Sequence, residues 1–323
     1  MSGRKQLNPL VTIGIPTYNH ADAYLRETLR SALGQTYDNL EIIVADNCSS
    51  DGTEVLVHGQ DSPRVRYFRH PRNIPANDNF NFCLQQAKGE YFLLLHDDDT
   101  IDPDFVEACV QAAVGHPETG IIRTGTRIID GHGKVISELV NNTSGQSTEE
   151  MFLTWLRSRT WMFLCGTLFN TARLKETGGF NSKHQLFQDV LAEFTLAARY
   201  GRVDVPAVKA SFRKHSGQRT AAARVDQWCE DSIILLRAMC DMAPIRRNEI
   251  WAAGLKHFAK HNYDLAAMIG NPVERYRMFL SIYKTFDKAH SPMRFFYERA
   301  RGAFFKRLGR VKRSLQGKTR VIR

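Results

Sequence analysis

The chain has 323 residues, 43% of them apolar and 24% charged, which excludes wholesale disorder and leaves room for two domains or one large domain with an appendage. Its net charge of +10 is lopsided: residues 294–323 hold 11 Lys or Arg against the single acid Glu298, while residues 1–293 set 33 bases against 33 acids, so the basic character belongs to a tail. Unbroken apolar runs such as Tyr91 to Leu95 and Trp161 to Cys165 fall far short of the roughly 20 residues of a membrane span, and no charged-then-apolar leader opens the chain, so a soluble, cytoplasmic protein is expected.

In chain order, Leu10 to Ile15 (LVTIGI) predicts a strand, and Leu25, Leu29 and Leu33 recur at helical spacing behind Asp22, the expected N-cap. Leu40 to Ala45 (LEIIVA) predicts a second strand, followed by the turn-rich NCSSDGT. Val65 to Phe68 makes a third, a polar helix follows around Phe80 to Ala87, and Tyr91 to Leu95 (YFLLL) makes a fourth strand. Near-continuous apolar strands alternating with helices imply an α/β domain with a mostly parallel sheet covered on both faces. Ile121 to Ile129 and Val135 to Val140 read as a hairpin about the turn DGHG, and Asn141 to Thr148 as a loop. Phe187 to Arg199 reads as a helix, and Val203 to Phe212 as one or two strands interrupted by Pro206. Beyond Ala221 the pattern is helical, broken at Pro244, Pro272 and Pro292. The expected division is a catalytic domain over 1–220, a helical appendage over 221–293 and a basic tail over 294–323. The six cysteines lie far apart without a C-x-x-C pair, which reads as reduced, mostly buried thiols.

The sharpest chemical feature is His96-Asp97-Asp98-Asp99, directly after YFLLL. Ligands of open α/β sheets sit beyond the carboxyl ends of the strands. Three adjacent carboxylates there repel one another unless a cation or several donors neutralise them. Mg²⁺ and Mn²⁺ prefer such oxygen ligands, and Mg²⁺ often bridges one or two carboxylates to substrate phosphates. The plain alternative is a solvated acidic turn before the helix at Phe105. The first strand exits through Pro16-Thr17-Tyr18-Asn19 without a G-x-G-x-x-G fingerprint, and Gly317-Lys318-Thr319 has Lys312 where a P-loop needs glycine. A nucleotide here is therefore not held by a glycine-rich cradle. Asp46 ends the second strand, where it would accept from a base N–H or serve as a turn residue.

Taken in order, VTIGIPTYN, EIIVADNCSSDGT, the asparagines Asn73, Asn79 and Asn81, the segment Ala87 to Tyr91, HDDD, Pro103 to Phe105, Gly178-Gly179-Phe180-Asn181 and Gln188-Asp189 resemble the inverting family 2 glycosyltransferases over residues 10 to about 215. The resemblance implies the GT-A fold. It implies that Pro16, Thr17, Tyr18 and Asn19, with Asp46, Asn79, Asp97 and Asp98, hold a nucleotide-sugar. Asp97 and Asp99, with His215 from the segment Arg213-Lys214-His215, would hold Mg²⁺ or Mn²⁺, and Asp189 would be the catalytic base. Gly179, Phe180 and Gln188 would face the acceptor, a glycan or lipid-linked glycan of cell-surface polysaccharide synthesis. Three departures stand out: Gln188 precedes the base where an acid is usual, Pro75 replaces a glycine, and His96 replaces an acid, which leaves open which aspartates touch the metal. A nucleotide-sugar-binding protein without catalysis is the alternative that Gln188 raises.

His257 and His261 are spaced as in a zinc helix, but without the glutamate of H-E-x-x-H they read as a surface pair. In the tail, Phe304, Leu308, Val311 and Leu315 fall on one helical stripe among Lys306, Arg307, Arg310, Lys312 and Arg313. That pattern predicts a helix lying on an anionic membrane surface, peripheral to the inner face of the cell membrane. Nucleic acid is the other natural partner of such a tail, but the balanced body carries no recognised motif for specific binding.

Overall fold

A computed structural model describes residues 8–215, 223–286, 288 and 291–297. The apolar runs form parallel strands β1 (Val11–Thr17), β2 (Leu40–Asp46), β3 (Val65–Arg69) and β4 (Tyr91–Leu94), ordered β3-β2-β1-β4. Every residue of β1, β2 and β4 is buried, as strands covered on both faces must be. Helices α1 (Leu25–Leu33), α2 (Thr53–His58) and α3 (Ala76–Gln86) make the crossovers. Asp22 does not cap α1: residues 21–24 form a turn and Tyr24 takes the cap position without a side-chain bond.

Past β4 the sheet becomes mixed. The further elements are β5 (Thr100–Ile101), α4 (Phe105–Ala113), β6 (Ile121–Asp130), β7 (Val135–Leu139), α5 (Thr148–Leu156), β8 (Thr167–Asn170), α6 (Thr171–Glu176), α7 (Gln188–Tyr200) and β9 (Arg202–Lys214). The order continues β4-β8-β6-β9-β5, with β7 paired to β6 as the expected hairpin. Strand β8 is antiparallel to β4 and β6, whereas β9 runs parallel to β6. The segment around Pro206 is one strand. Its register against β6 skips from Arg123↔Asp204 to Gly125↔Val208, and this bulge takes the proline, which has no N–H to donate, out of the ladder. Helix α5 begins where a loop was expected, and a capping box starts it: Glu150 N–H donates to Ser147 Oγ while Ser147 N–H donates to the Glu150 carboxylate.

The C-terminal part contributes α8 (Val225–Met242), α9 (Arg247–Ala266) and α10 (Pro272–Thr285). Pro272 sits in the first turn of α10, where its missing N–H costs nothing, and Asn271 caps that turn. Strand alternation divides the core into two clusters, Ile42 and Val44 facing one and Ile43 and Ala45 the other. The first holds residues of α1, α2 and α4. The second holds those of α3, α5, α6 and α7 and continues through Leu236, Phe258 and Ile282 into α8–α10. All six cysteines are free thiols and five of them are buried, as expected. Among the described residues no helix is long and apolar enough to cross a membrane. The stripe from Phe304 to Leu315 lies outside the described residues.

Candidate active site

Because β1, β2 and β4 run in parallel, their carboxyl ends meet along one edge of the sheet. Pro16 and Thr17 close β1 and are buried; Tyr18 follows with 46% of its surface exposed. Asn19 has a left-handed backbone, φ 55°, a conformation asparagine tolerates. It is tied to the turn after β2: Asn19 N–H donates to Ser49 Oγ at 2.9 Å and Asn19 Oδ1 accepts from Ser50 N–H at 2.8 Å. Asp46 is fully buried at the end of β2, accepting from Ser49 N–H at 2.8 Å and Tyr67 Oη–H at 2.6 Å, with Arg69 Nε 3.7 Å away. Its oxygens therefore already serve the turn and β3. Asn79 lies one layer deeper on α3, where its Nδ2 donates to the Ala45 carbonyl at 3.0 Å and its Oδ1 lies 2.9 Å from His70 Nε2.

The three aspartates after β4 point in different directions. Asp97 turns to the β1 exit, 3.0 Å from His20 Nδ1 and 3.3 Å from Tyr18 N–H. That hydrogen bond raises the pKa of His20, against the opposing effect of its burial. Asp98 lies 2.9 Å from His215 Nε2. Asp99 turns inward and accepts from Arg213 N–H at 2.8 Å. Burial, and next the charge of Asp98, lift its carboxyl well above the ordinary range. Arg213, at the end of β9, is itself buried: its Nε donates to the Asp98 carbonyl at 2.8 Å, it pairs with Glu27, and its guanidinium stacks 4.6 Å over the Tyr24 ring. Strand β9 thereby clamps the carboxylate turn against α1.

His96, Asp98 and Asp99 each offer a ligand atom, all within 4.8 Å of one another, making one possible metal group among the described residues. His96 Nε2 is buried and has no hydrogen-bond partner among the described residues. A buried nitrogen left without a partner beside two carboxylates suits a divalent cation. Of the residues expected at a metal, Asp99 belongs to this group, Asp97 is engaged with His20, and His215 reaches the group through Asp98.

Gly179 and Phe180 lie where α6 hands over to α7. Gly179 has φ +72°, and a Cβ there would stand 2.2 Å from Asn81 Oδ1. Asn81 needs that closeness, since it accepts from Phe180 N–H at 2.8 Å and donates to the Phe180 carbonyl at 2.9 Å. The Phe180 ring is fully buried against Phe80, Phe92 and Phe169, so it anchors the loop expected on the acceptor side by packing. Gln188 is buried in the first turn of α7, with its Oε1 3.4 Å from Ser182 Oγ, and the half-buried Asp189 accepts from Val190 N–H at 2.8 Å. Two residues here have no signal in the local sequence pattern. Asp231 of α8 accepts from His184 N–H at 3.1 Å and Leu186 N–H at 3.3 Å, so the C-terminal helices hold the loop that leads to Asp189. Glu193, one turn beyond Asp189, is fully buried 3.9 Å from Arg123, and burial pushes its carboxyl up to about 7.

Residues 12–168 match the family model described as Glycosyl transferase family 2. A stretch of 135 residues is 33% identical to chondroitin synthase of Escherichia coli and covers 41% of this chain and 19% of that protein. The chain spans less than a third of the length of the curated relatives it matches first. In fold it is similar to TarS 1–349 of S. aureus, solved in complex with UDP, with a TM-score of 0.62 and 15% identity over 88% of this chain and 82% of that one. It is also similar to the mannosyltransferase PcManGT of Pyrobaculum calidifontis, solved with GDP-Man and Mn²⁺, with a TM-score of 0.54 and 19% identity over 88% of this chain and 86% of that one.

Proposed function

We propose, from the match of residues 12–168 to the Glycosyl transferase family 2 model and from a sheet with the GT-A fold, that the chain belongs to that family and moves a sugar from a nucleotide-sugar to a hydroxyl of a glycan or glycolipid, with inversion at the anomeric carbon. The observation that carries this reading is the convergence of the β1 exit, the β2 exit and the carboxylate turn at one sheet edge, beside a buried nitrogen without a partner. Tyr18 would stack on the base, while Pro16, Thr17, Asn19, Asp46 and Asn79 shape the pocket around base and ribose. Asp97, oriented by His20, would bind the ribose, and His96, Asp98 and Asp99 would hold Mg²⁺ or Mn²⁺. When bound, the cation supplies charge to neutralise the departing diphosphate. Asp189 would accept the proton of the attacking hydroxyl as the new glycosidic bond forms and the bond to the diphosphate breaks. No covalent sugar–enzyme intermediate is needed.

The domain division at 220 and 293 is part of the same reading, with the helices after 220 supporting the acceptor side. The relative named for chondroitin synthesis supports an acceptor in polysaccharide synthesis. The basic tail would hold the protein to the inner face of the cell membrane, each base near an anionic surface contributing about 1 kcal/mol.

Two assays test the reading. A nucleoside diphosphate and Mn²⁺ together should raise the melting temperature more than either alone. In a transfer assay Asp189→Asn should abolish product while leaving that thermal shift intact. Full turnover by the variant would remove Asp189 from its role, and donor binding by the unaltered chain without product on any acceptor would leave a nucleotide-sugar-binding protein.

A further inference from the structure

A cavity of about 730 Å³ opens between the end of α5 and α9, in the helical part of the molecule. Its size suits an organic ligand rather than a single ion. Arg157, Lys256, Lys260 and Arg294 line it, against the acids Glu249 and Asp264. Glu249 is already neutralised, with Arg157 Nη2 2.7 Å from one of its oxygens and Arg246 Nη2 2.7 Å from the other. Lys256 and Lys260, one turn apart on α9, are exposed and form no ion pair among the described residues. His257 and His261, expected as a surface pair, are instead half-buried in the lining, their rings 4.8 Å from Trp155 and 5.1 Å from Trp228. Burial holds His257 down at about 4 and lowers His261 as well, so both are neutral at pH 7 and the positive field comes from the lysines and arginines.

The position of the cavity gives this charge a use. The His261 ring also packs 6.3 Å from the ring of Phe187, the residue directly before Gln188 and Asp189. His261 thus joins the lining of the groove to the residue that precedes α7. We propose that the groove is a subsite for the acceptor, binding a glycan stretch whose carboxylate or phosphate groups lie along Lys256 and Lys260. The proposal rests on the reading of the chain as a transferase with Asp189 on its acceptor side.

The test is direct binding to the full chain. Oligogalacturonate, a carboxylated glycan, and its neutral methyl ester are titrated against tryptophan emission and by calorimetry, since Trp155 and Trp228 stand against the two histidines. The carboxylated probe should saturate the site and bind about tenfold tighter than the ester, and the variant Lys256→Ala with Lys260→Ala should lose about that factor. Alanine at exposed helical positions preserves α9, and Lys256→Arg with Lys260→Arg should restore binding. Equal binding of both probes, or unaltered binding by the alanine pair, overturns the proposal. Displacement by pyrophosphate at equal concentration also overturns it, because the groove would then be a simple anion site. A donor thermal shift on the same samples separates the two claims. Donor binding with no probe binding refutes the subsite alone, whereas probe binding without any donor-dependent transfer keeps a glycan site and removes the transferase reading.

Discussion

Glu193 titrates in a way its surroundings dictate. It is fully buried on α7, accepts from Thr167 Oγ1 at 3.1 Å and stands 3.9 Å from Arg123 Nε. Burial raises its carboxyl from 4.5 to about 7, the Arg123 charge offsets part of that rise, and Asp189 adds to it. The folded state thus holds this proton more tightly than the unfolded chain does. The resulting stabilisation is fully present below about pH 4.5 and is lost as the pH climbs through about 7, a loss of about 3 kcal/mol once complete. Glu193→Gln keeps the side-chain volume and an acceptor for Thr167, while Arg123 retains Asp204 at 3.6 Å. Urea unfolding at pH 5 and pH 8 measures the difference. Between those two values the unaltered protein should lose roughly 2 to 3 kcal/mol more than the variant. Equal losses in the two proteins would refute a raised acid at this position.

Asp98→Asn should abolish stabilisation by Mn²⁺, which for the unaltered protein reaches about 2.7 kcal/mol at a hundredfold excess over Kd; a thermal melt with and without the ion reads this, and an undiminished shift would place the metal elsewhere. Phe180→Ala should cost about 3–5 kcal/mol in urea unfolding, since a fully buried ring among three others leaves a cavity. Gly179→Ala should cost about 1–3 kcal/mol in the same assay and lower transfer, because a Cβ meets Asn81 in a backbone region that L side chains avoid.

The α/β half was legible because its strands are short, mostly apolar runs, in which the buried Thr12 and Glu41 satisfy each other at 2.6 Å. Burial on both faces demands that pattern, and β1, β2 and β4 form where it occurs. The hairpin of β6 and β7 was legible from its turn. Helix α5 was missed, although Ser147 and Glu150 have capping-box spacing, because the polar residues before it read as loop. Of the one or two strands expected around Pro206 the structure has one, and the local sequence could not decide between them because the bulge that accommodates proline is fixed by β6 and not by its own neighbours. At the site, residue types and their placement beyond strand ends were legible, but directions were not. His20 and Asp231 act through partners distant in sequence, 77 residues away at Asp97 for the first and 45 at Leu186 for the second.

That difference in legibility has one physical root in the carboxylate turn. Three consecutive aspartates repel one another wherever they sit, and the fold gives each a different hydrogen-bonding or ion-pairing partner. Asp97 takes His20 and the Tyr18 N–H, Asp98 takes His215, and Asp99 takes the Arg213 N–H. Arg213 secures two of these arrangements at once, because its backbone serves Asp99 while its Nε holds the Asp98 carbonyl. The burial of its guanidinium is tolerable only because Glu27 and the Tyr24 face receive it. The strand exits, α1 and the last residues of β9 are therefore joined by charge as well as by packing. A substitution at Arg213 would leave Glu27 without its cation and remove the Nε bond to the Asp98 carbonyl, disturbing the turn that presents Asp98, so its effect on ligand binding should exceed what its distance from solvent suggests.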